Sequence, residues 1–256
     1  MILLKLALVP AAVWVASLAA RRWGHAVSGY LGGLPLIGGP ITFYFALDYG
    51  EAFAAQSAMV TLAAILGQTA HLMAFGHTGR SKHWPFALAA GWAAYAIVSI
   101  AVIRLPLTPL LALALALAGL ALAWRWLPRV HGPVSLPLVP PVELWLRLAA
   151  ALGLAVVILL SAEALGPIVS GVLLSIPVTG SIMPPFTLAL YGEGALARLM
   201  RGFIIGLTGF AAFFFTIALT LVPWGIAPAF GLAIAAALAA VSSSRRLAAV
   251  GGSRQP

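Results

Sequence analysis

The chain has 256 residues, 63% of them hydrophobic and 7% charged, with a mean hydropathy of +1.10, so it lacks the polar skin of a water-soluble globule and reads as an integral membrane protein. The formal charge of +9 comes from two lysines and twelve arginines at the ends of apolar runs, a pattern of membrane anchors rather than a phosphate-binding stripe, which argues against nucleic acid as a partner. Zero cysteines exclude disulfides, iron–sulfur clusters and thiolate zinc sites.

Nine apolar segments, with rough limits 2–20, 26–48, 52–76, 85–103, 106–124, 144–163, 167–191, 199–222 and 225–243, are each about long enough to cross a ~30 Å hydrocarbon layer at ~1.5 Å per residue. The first has some features of a cleaved signal peptide. However, Arg21 and Arg22 follow its apolar run, where they oppose export, and LKLA at 4–7 reappears as LRLA at 146–149. It is expected to belong to the fold.

The second segment is written twice. VSGYLGGLPLIGGPITFYFALDYGE at 27–51 returns without a gap, 142 residues on, as VSGVLLSIPVTGSIMPPFTLALYGE at 169–193. Ten of 29 positions are identical between 27–55 and 169–197, where this composition would give about three by chance. Both copies are interrupted midway by Pro and Gly, the pattern of a discontinuous membrane helix. In copy one a half-helix over 27–34 should end at Gly32, Gly33 and Pro35, and a second half should start at Gly38, Gly39 and Pro40. In copy two the break is 176–181, with Ser181 as N-cap and a restart near Pro184 and Pro185.

Unwound backbone is tolerated at membrane depth only where protein buries it or it lines a cavity, so the two breaks are expected to meet. Half-helix N-termini, reinforced by Thr42, Thr179, Ser181 and Thr187, would then stabilise an anionic group, while the carbonyls at Gly33 and Ser175 suit a small cation. The candidate solute-binding set is Ser28, Pro35, Gly38, Gly39, Thr42, Gln68, Ser170, Pro177, Thr179, Gly180, Ser181 and Thr187. The competing reading makes both breaks packing kinks.

In the third segment Ser57, Thr61, Gln68 and His71 share one helical face, directed at a partner helix or a watery path. His71 is a candidate coupling group, or a histidine bonded to a carbonyl of the bundle. The eighth segment replaces this stripe with Gly202, Gly206, Gly209, Phe213, Thr216 and Thr220, a face that lets a backbone come close. Tyr49-Gly50-Glu51 and Tyr191-Gly192-Glu193 repeat verbatim. Glycine as helix stop with Glu in the next first turn explains them mechanically, and Glu51 and Glu193 as symmetric gates is the functional alternative. The fifth segment has no counterpart and is expected to face lipid or a second copy, so a homodimer stays open.

Segments one to four map onto six to nine, and the odd number of crossings between them turns the second copy upside down. Twelve of the fourteen basic residues then fall on one side, leaving Lys5 and Arg104 on the other. By the positive-inside rule that side is the cytoplasm, with the N-terminus outside and an inner-membrane location expected. The expected fold is an all-α integral membrane protein: two inverted four-helix repeats (1–104 and 143–243), a linker helix with a Pro-rich cytoplasmic loop (105–142), and a basic tail (244–256).

GGLPLIGGP at 32–40, SIPVTGSIMPP at 175–185 and the 142-residue duplication resemble, in architecture, the bile-acid/sodium symporter-like and sodium/proton antiporter-like carriers. That resemblance implies two inverted repeats with crossed broken helices. The motifs of intramembrane enzymes, metal centres and nucleotide loops are missing, so no catalytic residue, metal or cofactor is expected. The expected function is a secondary transporter of a small anionic or zwitterionic solute, with coupling to H⁺ or Na⁺ left open. A passive channel and a non-transporting membrane subunit are the alternatives.

Overall fold

The computed structural model describes residues 14, 27, 29–80, 83–127 and 141–252. Apart from Trp14, the expected span 2–20 lies outside the described residues, as do Ser28, the Pro-rich loop at 128–140 and the last four residues. Among the described residues the chain is all-helical: α1 Gly38–Asp48, α2 Glu51–Ala63, α3 Ile65–Thr78, α4 Trp84–Val102, α5 Pro109–Trp126, α6 Pro141–Leu174, α7 Val178–Trp224 and α8 Ile226–Gly252. A further helical piece, ending at Gly32, precedes α1.

Six helical stretches among the described residues are long and apolar enough to cross a membrane, which is consistent with a multi-pass membrane protein. Glu51–Thr78 is one of them, because α2 and α3 run on through Ala64, whose N–H bonds Val60 O at 2.9 Å. In their most apolar windows, 72% of Glu51–Thr78 and 67% of Leu160–Trp224 is buried, against 28% of α4 and of α5. The first two are therefore inner elements, and the others turn most of their apolar surface outward.

Leu160–Trp224 has 65 residues, and a single rod of that length would measure roughly 97 Å, three times the hydrocarbon thickness. It is subdivided. Gly166 (φ 70°, ψ 175°) turns the chain inside α6 just before Pro167, residues 175–177 leave the helix, and Gly192 (φ 75°, ψ −174°) turns it inside α7. Gly50, 142 residues before Gly192, has φ 91° and ψ 163°, a region open in practice only to glycine. The two Tyr-Gly-Glu sequences are thus the same turn made twice, each placing Glu in the first turn of the helix that follows. Gly192 also explains why the helix expected from 199 begins several residues earlier.

The packing repeats at the same offset. A Cβ on Gly29 would strike Leu199 O and lie 2.9 Å from Gly202 Cα; one on Gly171 would lie 2.6 Å from Ser57 O and 2.7 Å from Val60 Cβ. Residues 29 and 171, 57 and 199, and 60 and 202 are all 142 apart. Gly67 meets Ser99 and Tyr95, and Gly209 meets Val241 and Ala237; Gly38 meets Phe214, and Gly180 meets Leu72. Two of these sets therefore reciprocate between the halves, each offering the other the surface that it receives, while the Gly67 and Gly209 contacts recur within their own halves.

Candidate functional site

Both interruptions line one cavity. Its wall includes Gly32, Gly33, Leu36 and Gly38 from the first, Leu174, Pro177, Thr179 and Gly180 from the second, and Gln68, Leu72, Phe203 and Phe210 from the inner helices. The interruptions also touch directly: a Cβ on Gly32 would lie 3.0 Å from Thr179 Cγ2, and one on Gly38 would lie 3.8 Å from Leu174 O. The internal volume is about 70 Å³, measured as space open to the centre of a water-sized sphere, several times the ~10–15 Å³ that one water needs. Among the described residues the lining contains no Asp, Glu, Lys, Arg or His. Its polar groups are backbone, the Gln68 amide and the Thr179 hydroxyl.

At the first break the chain leaves the helix after Gly32 and re-enters at Gly38; at the second it leaves after Leu174 and re-enters at Val178. The second restart is several residues earlier than expected from Pro184 and Pro185, and Pro177, which forms no side-chain cap, stands in the N-cap position instead of Ser181. Ser181 lies inside the helix with its Oγ unpartnered. The early restart follows from local bonding, since Val178 N–H reaches Ile176 O at 2.8 Å and Ser181 N–H reaches Pro177 O at 2.8 Å.

Starting there puts Pro184 in mid-helix, where it lacks the N–H that would bond Gly180 O. His71 Nε2–H donates to that carbonyl instead, at 3.3 Å. Copy one makes the same junction differently: residue 42 is Thr, whose backbone N–H serves the helix and whose Oγ1 also donates to Gly38 O at 2.8 Å, and residue 213 is Phe. A proline and a histidine in one copy are replaced by a threonine and a phenylalanine in the other.

His71 is one of four donors in a row. Ser57 Oγ donates to Pro167 O (3.1 Å), Thr61 Oγ1 to Gly171 O (2.9 Å), and Gln68 Nε2 to Ser175 O (2.6 Å). The polar stripe of α2 and α3 therefore faces a partner helix and fastens the backbone of copy two along its interrupted length. Tyr95 of α4 adds a fifth donor, its hydroxyl lying 2.9 Å from Val172 O and 2.8 Å from Ser175 Oγ. Sequence reasoning missed Tyr95. The available signal was a tyrosine deep in an apolar helix, whose O–H must find a partner when buried.

The candidate residues separate accordingly. Gly38, Gln68, Pro177, Thr179 and Gly180 line the cavity, while Pro35, Gly39, Thr42, Ser170, Ser181 and Thr187 do not. Ser170 is fully buried with its Oγ unpartnered, and Thr42 is turned onto its own helix. Glu51 and Glu193 stand away from the cavity at the two glycine turns; Glu51 Oε1 would be 3.6 Å from a Cβ on Gly225, and Glu193 with Arg80 borders a separate groove of about 350 Å³. Among the described residues no three of His, Asp and Glu gather to hold a metal ion. No protein-family model, curated protein or solved structure matches the chain.

Proposed function

We propose that the chain is a secondary transporter of a small anionic or zwitterionic solute, built as two inverted four-helix repeats around a linker helix. In this reading there are nine spans, the N-terminus lies outside, the C-terminus is cytoplasmic, and the interrupted helices of 26–48 and 167–191 cross at mid-depth. The observation that carries the proposal is the single cavity lined by both interruptions, since backbone freed from a helix inside a membrane is stable only in protein or beside a polar space. Reciprocal contacts at a constant offset support a two-fold relation between the halves, because such a relation makes i touch j wherever j touches i, and the odd number of spans in this reading makes that relation an inverted one.

Alternating access would have the two halves exchange roles about this cavity, with first-turn amides at Ile37 and Gly38 and at Thr179 and Gly180 facing the solute's anionic group. The test is uptake into proteoliposomes. Saturable uptake that responds to an imposed H⁺ or Na⁺ gradient supports a coupled carrier, and saturable uptake without such a response a facilitator. Unsaturable flux would make the protein a channel, and no flux together with co-purification of another protein would make it a subunit. Orientation is tested separately: single cysteines at positions 21 and 198, introduced into a chain with no cysteine of its own, should label from the same side.

A further inference from the structure

Copy two has a side-chain donor for Gly171, Val172, Ser175 and Gly180 carbonyls, namely Thr61, Tyr95, Gln68 and His71. Moved by 142 residues, those donors become Phe203, Ala237, Phe210 and Phe213, none of which can donate. Two of the corresponding copy-one carbonyls have local partners: Gly29 O accepts from Gly33 N–H at 2.9 Å, and Gly38 O from Thr42 Oγ1 at 2.8 Å. Tyr30 O packs directly on Gly206. Tyr30 O and Gly33 O remain, with no donor to either among the described residues, and of these two residues it is Gly33 that lines the cavity. Gly33 lines the cavity, and so does Phe210, which stands where its counterpart Gln68 serves Ser175 O.

Building on the carrier reading, we infer that the Gly33 carbonyl is the polar anchor of the solute site and that the solute is a small zwitterion whose ammonium group donates to it. A buried carbonyl without a donor is unfavourable, so binding strength concentrates in a ligand that brings one. Gly33 O also stands at the C-terminal, negative end of a half-helix, and the first-turn amides at Ile37, Gly38, Thr179 and Gly180 form the positive ends of two others. A molecule carrying both charges therefore meets complementary poles on a wall that has no ionisable side chain among the described residues, whereas a simple anion leaves Gly33 O unserved.

The experiment is equilibrium binding of alanine and of propionate, which share the carboxylate and differ in the ammonium group, to the purified full chain in nanodiscs by saturation-transfer NMR. Alanine is expected to bind, and propionate to bind at least about tenfold more weakly. Phe210→Gln supplies the donor that copy two has at this place and is expected to weaken alanine at least about tenfold relative to the wild type. Equal binding of the two probes, binding of neither, or a Phe210→Gln variant that binds alanine as the wild type does would overturn the inference. The probe comparison on the wild-type chain stands even if Phe210→Gln does not fold. Binding of alanine without flux would retain the anchor and remove the carrier; transport of propionate in preference to alanine would do the reverse.

Discussion

Exchanging the junction of one copy for that of the other tests the account of His71 most directly. His71→Phe removes the donor to Gly180 O and leaves a carbonyl that Pro184 has already deprived of its helical partner. Stranding a buried acceptor costs ~1–3 kcal/mol, and the 3.3 Å separation, at the long end for such bonds, points to the lower half of that range. Pro184→Thr restores the backbone donor, so Gly180 O no longer needs the imidazole. The double variant, which carries copy one's Phe and Thr, should then be less destabilised than the sum of its parts by ~1–2 kcal/mol. Denaturant unfolding of the four proteins in mixed micelles measures this coupling. Additivity to within ~0.5 kcal/mol would refute the claim that the histidine and the proline are one device.

Three further outcomes follow from the packing. Gly171→Ala should destabilise by ~1–3 kcal/mol in thermal unfolding, because its Cβ would sit 2.6 Å from the backbone Ser57 O, and Gly29→Ala should match it against Leu199 O. Gly50→Ala and Gly192→Ala should each cost ~1–3 kcal/mol by the same measurement, and by similar amounts, since nothing lies within 4 Å of either added Cβ and the cost is purely conformational. Arg201→Met should loosen the end of α5 by ~1–2 kcal/mol, seen as faster amide exchange near Leu127, because Arg201 Nη2 donates to Leu127 O at 2.6 Å and its guanidinium lies 4.8 Å from the Trp124 ring centre.

The all-helical, apolar character of the chain and, among the described residues, the approximate places where helices break were legible in the amino-acid sequence because they rest on local rules: long apolar runs and Gly and Pro as interrupters. The placement of Gly202 and Gly206 against a backbone was legible for a similar reason, since small residues in a row leave little else to do. Ser57, Thr61, Gln68 and His71 could be assigned to one face but not to their acceptors, which lie 107 to 110 residues away. Ser181 does not cap the second half-helix for a specific reason: Pro184 and Pro185 by themselves mark a helix start, whereas a donor from another element allows a proline in mid-helix. Thr42, Ser170 and Ser181 looked like site residues by type and depth. Thr42 instead bonds its own helix, and none of the three lines the cavity.

The direction of the fastening has a consequence for biosynthesis. Residues 57–71 leave the ribosome about a hundred residues ahead of 167–180, so the donors of α2 and α3 are already made when the carbonyls they serve are synthesised. The earlier interruption has the opposite history: its packing partners at 199–214 are synthesised long after it, and it is the interruption that relies on close glycine and phenylalanine contacts instead of side-chain donors. A newborn chain thus keeps its hydrogen-bonding template upstream, and the segment that most needs outside donors emerges second.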